Sequence, residues 1–140
     1  MNAKIKIDWD WETIGDISFD SQYGKLIFPM VSEEGSVYRI LIESHVKKEC
    51  YIGETNNLQR RFEQYQSPGP SQKTNIRLSQ LMFDGLKKGR IIGVQRMKSI
   101  AVSVDRVSVD VDFMDKEMRR LLESAAIIYA KRDNLYLLNL

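Results

Sequence analysis

Between Ser36 and Glu43 the chain alternates, with Val37, Arg39 and Leu41 on one side and Tyr38, Ile40 and Ile42 on the other, which is the period of a β-strand. A charged turn, Ser44 to Lys48, leads to a second strand over Glu49 to Gly53. That spacing lets the two strands pair antiparallel and brings Tyr51 near Tyr38 in the sheet. The period then changes. Asn56 or Asn57 is placed to cap a helix from Leu58 to about Tyr65, which the breakers Ser67-Pro68-Gly69-Pro70 end. A second helix is predicted from Asn75 to Lys88, with Leu78, Leu81, Met82 and Leu86 as its apolar stripe and Gly89 as its stop. Arg90 to Lys98 and parts of Ile100 to Phe113 are rich in Val and Ile, predicting one central and one peripheral strand. Asp115 caps a last helix to about Arg132. Its stripe of Met118, Leu121, Leu122, Ala125, Ala126 and Tyr129 leaves Glu123 at the stripe's edge.

Residues 1–34 read as an N-terminal extension packing on the core: a short strand from Ala3 to Trp9, turns around Gly15 and Gly24, and an apolar piece from Lys25 to Val31. Trp9 and Trp11 share one side of an extended segment, and packing onto the sheet is the expected use of both rings.

The length of 140 residues suits one domain. No apolar run approaches the roughly 20 residues that cross a bilayer, and the amino terminus lacks the basic-then-apolar pattern of a leader, so a cytoplasmic protein is expected. One cysteine, Cys50, and one histidine, His45, exclude an intrachain disulfide and leave no ligand set for a structural zinc site, and the place of His45 in a polar turn, Glu43 to Glu49, argues against a Cys-His pair or a Ser-His-Asp triad. A metal must then be held by oxygen. The net charge of +2 conceals an asymmetry: within residues 51–100, nine lysines and arginines stand against three acidic residues. Such a basic middle predicts a positive face suited to a polyanion such as nucleic acid; the competing reading is an ordinary solvated helical surface.

Certain residues recur in an order with chemical meaning. Ser36-Val37-Tyr38 and Tyr51-Ile52-Gly53 lie on the paired strands; Arg61 follows Gly53 by eight positions; Tyr65 lies one helical turn later; Glu123 sits on the last long helix; and Asn139 stands in the closing Leu-Leu-Asn-Leu. This ordered set resembles the GIY-YIG nuclease superfamily over about Gly35 to Leu140. The resemblance implies an α+β fold in which a small central three-stranded sheet is flanked by helices, with the catalytic domain over residues 35–140. It also implies a metal-dependent endonuclease that hydrolyses phosphodiester bonds of nucleic acid, with DNA as the expected substrate, inversion at phosphorus, and 5′-phosphate and 3′-hydroxyl products. A catalytically silent binding or scaffold module of the same fold is the alternative. Two positions depart from the pattern. Ser36 stands where the first motif ordinarily has glycine, and the preceding Gly35 is expected to supply the turn. Tyr65 occupies a position where many relatives carry histidine and some tyrosine.

Phosphodiester hydrolysis needs an activated water, stabilisation of the pentavalent charge and neutralisation of the leaving oxygen. Under the resemblance Glu123 is the metal ligand, for a divalent cation such as Mg2+ or Mn2+. Arg61 presents a planar fork to two phosphate oxygens, while Arg60 points elsewhere. Tyr38 is the expected base and Tyr51 the donor to the scissile phosphate, although a free phenol titrates near 10 and needs a neighbouring cation to lower it. Asn139 braces the site. The loop and helix after Arg61 are expected to track a phosphate backbone through Gln72, Lys73, Asn75, Arg77, Lys87 and Lys88, with an ordinary surface loop as the competing reading. No zinc finger or helix-turn-helix pattern names a target. Cutting both strands requires two active sites or two successive events, so a homodimer or a targeting partner subunit is a further expectation.

Overall fold

The computed structural model describes residues 1–139. Strand β1 (Ile5–Asp16) is followed by a small hairpin of β2 (Ser18–Asp20) and β3 (Lys25–Ile27), then β4 (Ser36–Glu43) and β5 (Lys48–Thr55). Helices α1 (Leu58–Gln66) and α2 (Lys73–Lys87) precede β6 (Ile91–Val104), β7 (Val107–Val109), α3 (Lys116–Arg132) and β8 (Tyr136–Leu137). Strand β4 lies centrally, antiparallel to β5 on one side and to β6 on the other. The main sheet runs β1-β6-β4-β5-β8, with β7 folded back on β6.

The fold is therefore α+β, but the sheet has six strands rather than three. The expected trio is its centre, and the additions were hidden for physical reasons. β1 continues past Trp9 to Asp16, but register shifts between Asp8 and Asp10 and between Thr13 and Gly15 break the two-residue period that announces a strand. The two runs read as separate strands are mostly one, β6, which continues through Ser99 at φ 52°. The peripheral strand is the three-residue β7, reached through Asp105 and Arg106 at φ 50° and 70°, the left-handed backbone that a tight hairpin demands.

Helices cover both faces of the sheet. Tyr38, Ile40 and Ile42 of β4 share a buried cluster with Ile92 and Val94 of β6, Leu58, Phe62 and Tyr65 of α1, and Leu78 and Met82 of α2. On the other face Val37, Cys50, Ile52 and Met97 meet Leu122, Ala126 and Ala130 of α3. Each fully buried aliphatic or aromatic side chain contributes roughly 1.5–3 kcal/mol, so these two layers hold the strands in register. Asn57 caps α1 by accepting from the Arg60 N–H at 2.9 Å, and Asp115 caps α3 by accepting from the Glu117 N–H at 3.0 Å. Both tryptophans pack. Trp9 meets the Tyr129 ring edge-on at 5.7 Å, and the Arg39 guanidinium lies 4.4 Å from the centre of a Trp11 ring. Among the described residues no helix is long and apolar enough to cross a membrane.

Two glycines are set by close approach. Gly35 does not make a left-handed turn: it lies against the Phe113 carbonyl, whose oxygen would be 2.4 Å from an added Cβ. Gly53 is the direct partner of Tyr38 across β4 and β5, and a Cβ there would sit 2.6 Å from the Tyr38 hydroxyl oxygen. Gly53→Ala should consequently push the Tyr38 ring out of its rotamer and cost about 1–3 kcal/mol. Thermal unfolding monitored by near-ultraviolet circular dichroism will show this as a lowered midpoint and an altered tyrosine signal.

Candidate active site

Strand alternation sends Tyr51 and Gly53 to the α1 side of β5 and Ile52 and Glu54 to the α3 side. The candidate site is built around this stretch of β5, from both faces.

On the α1 side three phenols meet one guanidinium. The Tyr38 and Tyr65 hydroxyls are 2.5 Å apart, and both rings are fully buried. Arg61, one turn before Tyr65 on α1, lies among Tyr38, Tyr65 and Tyr51, and its buried Nε has no hydrogen-bond partner. A buried donor without a partner is uncommon and marks a place where a bound oxygen would be stabilised. Burial opposes the charge on Arg61, yet the surrounding phenols outweigh it and its pKa is raised. Arg60 is exposed and bonds the Asn56 side chain, away from this group.

The phenols are held in their neutral form. Burial, with Tyr65 and Tyr51 beside it, raises the Tyr38 pKa well above the ordinary phenol value; Arg61 lowers it, but by less. Tyr65 is raised too, chiefly by burial. Half-buried Tyr51 is raised by burial against the opposing influence of Arg61. The cation effect expected to make Tyr38 a base is thus present and outweighed.

Glu123 reaches the site from α3. Its half-buried carboxylate has a raised pKa, first from burial and then from the Glu54 carboxylate, while the Glu54 backbone, Arg120 and Arg61 act the other way. A half-buried carboxylate beside a second one is of the chemistry that a hard divalent cation favours. Among the described residues there is no group of three or more His, Cys, Asp or Glu side chains that could hold a metal ion. Glu123 would therefore hold such an ion with water and phosphate oxygens rather than a protein cage.

Asn139 meets the backbone of Ile52 in both directions: its Oδ1 accepts from the Ile52 N–H at 3.0 Å, and its Nδ2 donates to the Ile52 carbonyl at 2.7 Å. It extends the pairing of β8 with β5 by one side chain and fixes the backbone between Tyr51 and Gly53.

The residues expected along a phosphate track are differently used. Arg77 donates from Nη2 to the Leu138 carbonyl at 2.8 Å, anchoring the C-terminal segment beside β5. Gln72 accepts through Oε1 from the Gly69 N–H at 3.0 Å and from Asn75 Nδ2 at 3.1 Å, which ties the loop to the start of α2. Lys73 is exposed at that start. Lys87 and Lys88 lie at the other end of α2, about 21 Å away at about 1.5 Å per residue. There, Lys88 lines a cleft of about 400 Å³ with Glu43, Ser44, His45, Gly89 and Arg90. The six residues are therefore spread along the length of α2, and of them Arg77 is close enough to Tyr51 to act on its pKa. Elsewhere in the basic stretch Arg90 pairs with Glu49 at 3.2 Å, and Arg96 and Lys98 pair with Glu12 at 2.7 and 3.7 Å.

The sequence reading missed two site neighbours. Glu54, immediately after Gly53, accepts from Arg119 Nε at 2.6 Å, and Arg119 is itself buried one turn before Glu123. Sixty-five positions separate the pair, so the only signal was that Glu54 directly follows Gly53 and that Arg119 lies one helical turn before Glu123.

Residues 34–99 match the GIY-YIG catalytic domain family. No curated protein and no solved structure matches the chain.

The raised pKa of Glu123 has a consequence for stability. Its folded form holds a proton more tightly than the unfolded chain, so an unfavourable contribution sets in as pH rises from the ordinary 4.5 through the raised value. Glu123→Gln should therefore raise the melting temperature at neutral pH in chelator. The difference should vanish below the ordinary carboxylate range, where the wild-type side chain is also neutral. Paired melts at the two pH values check this, and a difference that is independent of pH contradicts it.

Proposed function

The chain belongs to the GIY-YIG nuclease superfamily, and on that footing we propose that it is a metal-dependent endonuclease hydrolysing phosphodiester bonds of nucleic acid, with DNA as substrate. The observation that carries this reading is the meeting of Tyr38, Tyr51, Arg61 and Tyr65 on one side of β5 with Glu123 from the other, around a buried guanidinium nitrogen left without a partner.

In this reading Arg61 binds two non-bridging phosphate oxygens, and its fork gains most where their charge grows, in the pentavalent transition state. Tyr51, the most accessible of the three phenols, donates its O–H to the phosphate or to the attacking water. Tyr38 is enclosed and bonded to Tyr65, so we assign it the orientation of Tyr65 and Arg61 rather than proton abstraction. Glu123 would hold Mg2+ or Mn2+, and such an ion would supply positive charge for the phosphate and the leaving oxygen. Asn139 keeps the Ile52 backbone, and with it Tyr51 and Gly53, at the required position. Lys73, exposed at the start of α2, is the retained candidate for positioning the strand; Arg77, Gln72 and Asn75 serve by holding the elements around it. A second copy or a targeting subunit would supply the second cut and the choice of target.

Purified protein incubated with supercoiled, linear and branched DNA and with RNA, in Mg2+, Mn2+ or chelator, tests the proposal directly. Cleavage of DNA that disappears in chelator and in Glu123→Ala is expected. Binding without cleavage under every condition would instead mark a silent module. Arg61→Ala should slow turnover by roughly a hundredfold or more, as expected for removal of a charged donor from the developing phosphorane. Arg60→Ala should change it little, because that side chain is exposed and tied to Asn56. Equal effects of the two variants would reject Arg61 as the phosphate-binding arginine.

A further inference from the structure

The pair formed by Glu54 and Arg119 is the best-built polar feature that the proposed chemistry leaves unused. Only 5 % of Arg119 is exposed. Burying a guanidinium costs several kcal/mol unless it is paired and hydrogen-bonded. Arg119 meets that requirement twice, donating from Nε to Glu54 Oε2 at 2.6 Å and from Nη1 to the Phe113 carbonyl at 2.7 Å. For packing alone an apolar pair of similar volume serves as well or better. The ion pair adds orientation: one oxygen of a carboxylate is fixed on the buried side, while Oε1 has no partner among the described residues.

The location gives that orientation a use. Arg119 and Glu123 are four residues apart on α3 and share a face, so anchoring Arg119 to β5 carries Glu123 to the same strand. Glu54 follows Gly53 there, and its backbone and carboxylate are both close enough to influence Glu123. We infer that Glu54, oriented by Arg119, is a positioning residue of the cation site at Glu123, its free oxygen accepting a hydrogen bond from a water on the bound divalent ion. The inference rests on the nuclease reading given above. Mg2+ retains several waters and is commonly bound through one or two carboxylates, and loss of an outer-shell partner typically weakens metal affinity 10–100-fold.

Mn2+ binding to the full chain, followed by the loss of the free-ion electron paramagnetic resonance signal, tests this without reference to cleavage. Glu54→Gln keeps an oxygen acceptor for Arg119 and should leave the melting temperature in chelator within a few degrees of wild type, while weakening Mn2+ about tenfold. Glu123→Ala should abolish binding. Wild-type affinity in Glu54→Gln, together with loss in Glu123→Ala, overturns the inference and leaves the nuclease reading standing. Wild-type affinity in Glu123→Ala removes the metal role of Glu123 itself. Should Glu54→Gln fail to fold, Glu54→Asp carries the same test: it keeps the charge for Arg119 but shortens the reach by one methylene, and unchanged affinity in it again overturns the inference.

Discussion

The site depends on the register of β4 against β5, which sets Gly53 directly opposite Tyr38. Because that position lacks a side chain, the Tyr38 ring can lie across the neighbouring strand and bring its hydroxyl to Tyr65. A slip of one residue would turn Tyr38 to the α3 side and confront its ring with a side chain. The rest of the site follows from this pairing: α1 packs over the enclosed phenols through Leu58, Phe62 and Tyr65, and that packing fixes the helix rotation that holds Arg61 among them.

Around this centre the protein accepts local costs. Tyr38 and Tyr65 are enclosed with each other, Tyr51 and the Arg61 guanidinium as polar neighbours, one donor nitrogen lies buried without a partner, and a half-buried carboxylate stands beside another. None of these arrangements benefits the fold by itself. They are tolerated because apolar layers on both faces of the sheet, and the Asn139 brace on Ile52, leave β5 no room to relax. A ligand that brought phosphate oxygens to Arg61 and a cation to Glu123 would relieve the second and the last of them together.

The C-terminal segment shows how far support lies from chemistry. Arg77 on α2 holds the Leu138 carbonyl, Leu138 donates to the Cys50 carbonyl at 2.8 Å, and Asn139 straps Ile52. The contacts at Cys50 and Ile52 flank Tyr51 on β5, and Arg77 supports them through Leu138. A basic residue that looks ready for a polyanion is thus engaged in keeping a strand in place, and Arg90 and Arg96 of the same basic stretch are engaged in ion pairs.

Local order was written in the sequence by itself. Alternation over Ser36–Glu43, the asparagine before Leu58, the Pro-Gly break after Ser67 and the stripe of α3 are each short-range signals, set by the period of the backbone and by which side chains can satisfy its ends. The order and spacing of Tyr38, Tyr51, Arg61, Tyr65, Glu123 and Asn139 were legible for the same reason, as positions along elements of known pitch. Tertiary structure alone decided what these positions touch. The bulges that lengthen β1, the union of two apolar runs in β6, the use of Arg77 to hold the C-terminal segment, and the pairing of Glu54 with Arg119 all arise from contacts between distant segments. A side chain's local period states which way it faces; which partner it finds there depends on a register and a helix rotation that exist only once the whole sheet is assembled.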